Sequence, residues 1–103
     1  MSETRSADQH ARLRRLGESF RRLRLARNIS QEALADNGGV GLSTLKRLER
    51  GQGCTLLALL QLLAALDCAH QFETLVAGLV ADLEDGSGRD RRRASAPRQP
   101  DAD

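Results

Sequence analysis

The sequence predicts an all-α fold of five helices followed by a disordered tail, and three observations predict it. Apolar residues make up 40 % of the 103-residue chain while aromatics make up only 2 %, with neither Trp nor Tyr. A core drawn from Leu, Ala and Val suits packed helices better than a sheet, where β-branched and aromatic side chains concentrate. Apolar positions recur at helical spacing through most of residues 10–85, and the short connections between those runs carry Ser, Thr and Gly, the residues that start and stop helices.

Each element follows in order. Residues 1–9 are polar and read as a flexible N-terminus. From His10 to Arg27 an amphipathic helix places Leu13, Leu16, Phe20 and Leu23 on one stripe. Ser30 caps a short second helix, Gln31 to Asp36, with Glu32 in the first turn where the helix dipole favours an acid. Asn37-Gly38-Gly39 ends it, since glycine adopts the left-handed conformation without strain. A third helix runs from Leu42 to Arg50 and stops at Gly51. Thr55 caps a fourth, "LLALLQLLAAL", which is apolar on most sides and is expected in the middle of the core. A fifth, from Ala69 to Leu83, aligns Phe72, Leu75, Val76, Leu79 and Leu83. The closing "GSGRDRRRASAPRQPDAD", residues 86–103, has the composition of a disordered tail, leaving 10–85 as one compact domain.

Charge is distributed unevenly. Residues 1–29 hold eight Arg against three acids, residues 30–51 balance at three each, and residues 52–85 hold five acids with no Lys or Arg. A basic front and an acidic rear suit a polyanion on one side only. No apolar run is long enough to cross a bilayer, and no hydrophobic segment follows the basic N-terminus as in a signal peptide, so a cytoplasmic, nucleoid-associated protein is expected. Cys54 and Cys68 flank the fourth helix, whose length puts them about 15–20 Å apart, beyond reach of a disulfide. His10 and His70 have no Cys or His neighbours at zinc spacing and read as surface residues. Neither a catalytic cluster nor a phosphate-cradling loop is visible, so no enzyme activity, metal or cofactor is expected.

The third helix carries the chemistry. On a wheel with Leu42 at zero, Leu45 falls at roughly 300° and Leu48 at roughly 240°. Lys46, Arg50, Ser43 and Arg47 fall opposite, at roughly 40° to 140°. The leucines would fix the helix to the domain while a hydroxyl and three cations face outward, able to reach phosphates and guanine edges in a major groove. Two short helices joined by a glycine turn, the second with a cationic outer face, form a helix-turn-helix.

The stretch "SQEALADNGGVGLSTLKRLERG" resembles the helix-turn-helix of the phage repressor and Cro-like (XRE) regulators. The family's 20-residue unit matches Gln31 to Arg50, with its small residue at Ala35, its turn glycine at Gly39, apolar positions at Leu34, Val40, Leu45 and Leu48, and the closing signature at Leu48-Glu49-Arg50-Gly51. The likeness spans about Leu16 to Leu66 and implies a λ-repressor-like five-helix fold. It implies base reading by Leu42, Ser43, Lys46 and Arg47, and phosphate contacts from Ser30, Gln31 and Arg50. Two departures stand out. Gly41 replaces a common Ser or Thr and removes a hydroxyl. Leu42 sits where a polar reader is common, and it either touches a thymine methyl or folds back onto the core.

Relatives also pair the positions of Arg24 and Glu49. Both lie at the border of an apolar stripe, where an unpaired ion is expensive. An ion pair is expected, the alternative being two independently snorkelling side chains. The fifth helix's stripe serves either core packing or a homodimer seam, and a two-fold dimer would set two recognition helices ~34 Å apart on a palindromic site. The Arg89–Arg93 run either adds phosphate contacts or only solubilises the tail.

The leading expectation is a dimeric, sequence-specific repressor of double-stranded DNA. "CTLLALLQLLAALD" is similar to HipB-type antitoxins, which implies autoregulation and a HipA-type kinase toxin as partner. The alternatives are a stand-alone phage-type regulator, or a protein-interaction module with a degenerate helix-turn-helix.

Overall fold

The computed structural model describes residues 2–86, and all of its regular structure is helical. The order is α1 (Ser2–Ala26), α2 (Gln31–Gly38), α3 (Leu42–Glu49), α4 (Leu56–Ala65) and α5 (Ala69–Gly86). Five helices and no strand among the described residues make the all-α class that composition and spacing predict. Apart from Gly86, the segment 86–103 lies outside the described residues, and with it the Arg89–Arg93 run.

The chain divides into two compact units, Met1–His70 and Gln71–Asp103, where a single domain over 10–85 is the sequence expectation. In the first unit α2 packs on both α3 and α4, and α1 packs on α3. Its centre is three fully buried leucines, one per helix: Leu34 of α2, Leu45 of α3 and Leu62 of α4. Phe20, Ala35, Leu48, Ala58, Leu63 and Leu66 complete the core. The second unit consists, where described, of most of α5.

The helix ends follow local chemistry. Ser30 Oγ accepts the Ala33 N–H at 3.0 Å and Thr55 Oγ1 accepts the Ala58 N–H at 3.1 Å, each satisfying one donor that a helix start leaves open. Gly39, at φ 67°, closes α2, and the Val40 N–H reaches back to the Ala35 carbonyl at 2.9 Å, a Schellman motif that needs a left-handed residue. Asn28 and Asp67 take positive φ just beyond α1 and α4, and short polar side chains tolerate that conformation best after glycine.

Three expectations need correcting. The segment expected to be a flexible N-terminus, residues 1–9, is helical from Ser2 onward. Polarity there is no obstacle, because residues 2–16 contain neither Gly nor Pro and acids near a helix start are favourable. Leu16, placed on the apolar stripe of α1, is 63 % exposed. The line that α1 buries runs through Gly17, Phe20 and Arg24, and Leu16 lies on its flank. The leucine-rich α4 is not buried all round: Leu62 and Leu63 are core, but Leu56 and Leu57 in its first turn are exposed.

Candidate nucleic-acid interface

α3 is held by Leu45, Leu48 and Glu49, all buried, while Ser43, Arg47 and Arg50 are exposed. Leu42 and Lys46 lie at the margins, half-buried. The helix therefore presents one hydroxyl and two fully projecting arginines, with the Lys46 ammonium beside them. Among the described residues none of Lys46, Arg47 and Arg50 forms an ion pair. Half-burial of Leu42 leaves both of its expected roles, methyl contact or core margin, physically open.

Gly41 begins α3 without a side-chain cap. The Thr44 and Leu45 N–H groups bond to the Gly41 carbonyl at 3.1 and 3.2 Å, so the Leu42 and Ser43 N–H groups remain available at the end that carries partial positive charge. Beside this end lies an open groove of about 560 Å³, lined by Gly41, Thr44, Arg47, Gln52, Thr55 and Gln61 among others.

The arrangement is locked from within by a buried ionic cluster. Arg24 Nε donates to Glu49 Oε2 at 2.7 Å and Arg24 Nη2 donates to Glu49 Oε1 at 3.0 Å, a two-pronged pair with side chains only 8 % and 4 % exposed. Arg24 Nη1 donates to the Ile29 carbonyl at 3.0 Å, and Gln31 Nε2 donates to Glu49 Oε1 at 3.0 Å. The Glu49 carboxylate thus joins α3 to α1 and α2, and the Arg24 guanidinium adds the α1–α2 turn. Donation of its hydrogen bonds to Glu49 raises the Arg24 pKa above its ordinary value; desolvation opposes this, and the charges of Glu49 and Glu32 reinforce it. The alternative of two independent snorkelling side chains does not describe this geometry.

Gln31 has a double position. Its side-chain nitrogen is committed to Glu49, so a phosphate approaching α2 would meet the Gln31 and Glu32 N–H groups rather than the amide. Ser30 is likewise occupied in part, its hydroxyl oxygen accepting the Ala33 N–H.

Three further contacts have no counterpart among the sequence expectations. Gln61 Nε2 donates to the Gly38 carbonyl at 3.1 Å, tying α4 to the turn that aims α3; the one polar residue in "LLALLQLLAAL" was its signal. Arg27 Nη1 donates to the Leu66 carbonyl at 2.5 Å and Nη2 reaches Cys68 Sγ at 3.6 Å, latching the end of α1 to the end of α4. Gly17 meets the C-terminal end of α3 backbone to backbone: a Cβ there would overlap the Leu48 carbonyl oxygen and stand 2.9 Å from that of Glu49. Neither of these last two has a signature, since both join positions distant in the chain. Cys54 and Cys68 are free thiols, as expected, and burial pushes the Cys54 thiol up, a backbone hydrogen bond from Leu59 opposing it. No described helix is long and apolar enough to cross a membrane.

Comparison with known proteins gives one result. A helix-turn-helix family model matches residues 20–71, which is 52 of the 103 residues and covers α2, α3, α4 and the last part of α1. No curated protein and no solved structure gives a significant match. With an anchored α3, an outward cationic face and a family match over half the chain, the protein belongs to the XRE-type helix-turn-helix family of DNA-binding transcriptional regulators.

Proposed function

We propose that the protein is a sequence-specific repressor that binds a palindromic operator as a homodimer. The observation that supports this reading most is the division of α3. Leu45, Leu48 and Glu49 are buried and fix its orientation, while Ser43, Arg47 and Arg50 project and pair with no carboxylate among the described residues. Arg47 and Lys46 are suited to guanine O6 and N7, Ser43 to either purine edge, and Leu42 to a thymine methyl. Arg50, the α2 N-terminus at Gln31 and the hydroxyl of Ser30 serve phosphates. Phosphate contacts set the register and the outer face of α3 reads the bases.

Dimerisation is assigned to α5. Leu75, Val76, Leu79 and Leu83 are 61, 46, 60 and 67 % exposed. Phe72, Val76, Leu79 and Leu83 are spaced four, three and four apart, the a/d rhythm of a helix pair, and Val at an a position with Leu at d favours two strands. A second copy of α5 satisfies that stripe, and two-fold symmetry matches a palindrome. The resemblance of α4 to HipB-type antitoxins supports autoregulation beside a HipA-type kinase toxin as the finer assignment, acting in the cytoplasm at the nucleoid.

Selection of bound duplexes from a random pool tests the reading. A palindromic consensus is expected, and Arg47→Ala should change the preferred base at its position at a cost of about 1–3 kcal/mol. Recovery of no preferred duplex would instead favour a protein-interaction module. Leu79→Glu should yield a monomer by sedimentation with weakened operator binding; an unchanged sedimentation coefficient removes the seam. Co-purification from the native host tests for a kinase partner.

A further inference from the structure

The helix-turn-helix leaves most of the positive charge of the chain unexplained. Eight arginines lie within residues 1–29. Among those described, Arg24 and Arg27 are used inside the fold and Arg22 faces Glu18 at 3.7 Å. Arg14 and Arg21 are exposed and pair with no described carboxylate. They lie seven residues apart, so they share one face of α1, roughly 20° from each other.

That face is brought to α3 by a crossing of two glycines. Gly17 contacts the backbone of Leu48, Glu49 and Gly51, and Gly51, at φ 84°, packs so closely on α1 that a Cβ there would stand 2.6 Å from Arg14 Cα and 2.7 Å from Arg14 Cγ. Arg14 therefore flanks Gly51 from α1, and Arg50 adjoins it from the end of α3. Arg21 stands one turn beyond Gly17 on the same side of α1. With only backbone at the contact, the two helices approach near enough for their arginines to serve one surface.

We infer that Arg14 and Arg21, with Arg50, form a second patch for the sugar-phosphate backbone, flanking the groove that α3 enters. The inference rests on the DNA-binding reading above and extends it. Arg14 and Gly17 precede the segment 20–71 matched by the family model, whereas Arg21 and Arg50 lie within it, so the patch joins the N-terminal extension of α1 to the motif. The ligand is the duplex backbone and not a base edge. Guanidinium groups on a rigid helix, with no donor set converging on one point, suit a repeating row of phosphates. The patch adds affinity without sequence preference.

The test is the salt dependence of binding by the full chain, on the duplex selected from the random pool and on a mixed-sequence duplex of similar length. The double variant Arg14→Gln, Arg21→Gln keeps helix propensity and the methylene that packs on Gly51. Removing one phosphate contact should lower the slope of log affinity against log salt by about 0.9, so the pair should lower it by about 1.8. Between about 50 and about 200 mM salt the wild type should then lose roughly twelvefold more affinity than the variant. Both duplexes should weaken by the same factor at low salt, with the preferred bases and the far-UV circular dichroism melt unchanged, and Arg14→Lys, Arg21→Lys should restore the slope. A wild-type slope in the Gln variant overturns the patch while leaving the repressor reading intact. A shift in base preference likewise overturns it, because the contact would then be a reading one. Absence of salt-dependent binding by the wild type to either duplex overturns the DNA reading and the patch together.

Discussion

Replacing Glu49 with Ala tests the internal lock of the reading head. Glu49 accepts three hydrogen bonds, two from Arg24 and one from Gln31. In Glu49→Ala the Arg24 guanidinium, in a residue 7 % exposed, keeps only the Ile29 carbonyl. Breaking a buried pair by removing one partner costs about 3–5 kcal/mol, because the remaining charge is left uncompensated. Gln31 is half-buried and recovers water, so the missing bond adds little. A small domain has roughly 5–15 kcal/mol of stability in total. At about 4–8 °C per kcal/mol for a domain of this size, the midpoint should fall by at least ~12 °C. Far-UV circular dichroism is the assay, since the chain has no Trp or Tyr. DNA affinity should fall with stability, because α3 loses its ionic tie to α1. Two controls isolate the cause. Glu73→Ala, at an exposed acid of α5 outside this cluster, should move stability by less than about 0.5 kcal/mol. Arg24→Met with Glu49→Leu removes both charges and should recover most of the loss. A Glu49→Ala protein within about 1 kcal/mol of wild type, binding DNA normally, would refute the reasoning.

Further outcomes follow from single contacts. Gly17→Ala drives a methyl into the Leu48 carbonyl and should destabilise by about 1–3 kcal/mol, whereas Gly78→Ala, with nothing within 4 Å, should stabilise α5 by roughly 0.8–1 kcal/mol; thermal melts of both decide it. Ser30→Ala should cost about 1 kcal/mol by denaturant titration, because the Ala33 N–H is left without its cap. Burial holds the Cys54 thiol above its ordinary pKa, so its contribution to stability is present below the unfolded value and is lost as pH rises through the folded one. Cys54 should accordingly alkylate more slowly in the folded chain than in denaturant at neutral pH, as read by mass spectrometry. For Arg24 the raised value implies a contribution present below the unfolded pKa and lost only above the folded one, so a stability profile across neutral pH should show no step from this group.

What was legible in the sequence is what short-range chemistry decides. Ser30, Thr55 and Gly39 occupy the cap positions expected of them, because a cap is settled within four residues. The outward and inward faces of α3 were legible from a wheel, since one turn of helix suffices to define them. Legibility failed where distance along the chain entered. A wheel assigns Leu16 a side but cannot say how far the neighbouring helices reach, and the residue is exposed. Gln31 looked like a free amide because its partner, Glu49, lies 18 positions away. The start of α1 escaped for a different reason: polar composition suggests a loose segment, although a helix on a surface asks only for the absence of breakers.

Three internal contacts bear on the aim of α3. Gln61 holds the turn before it, Glu49 holds its body, and the Gly17–Gly51 crossing holds its end. None of them touches the outward face, so each can be rigid while Ser43, Arg47 and Arg50 remain exposed to a ligand. A reader that must place guanidinium groups against particular base edges gains from such support, because hydrogen-bond discrimination fails when the donor wanders. It follows that substitutions at Gln61 or Gly17 should blur base preference before they abolish binding, since phosphate attraction tolerates a misaligned helix and base recognition does not.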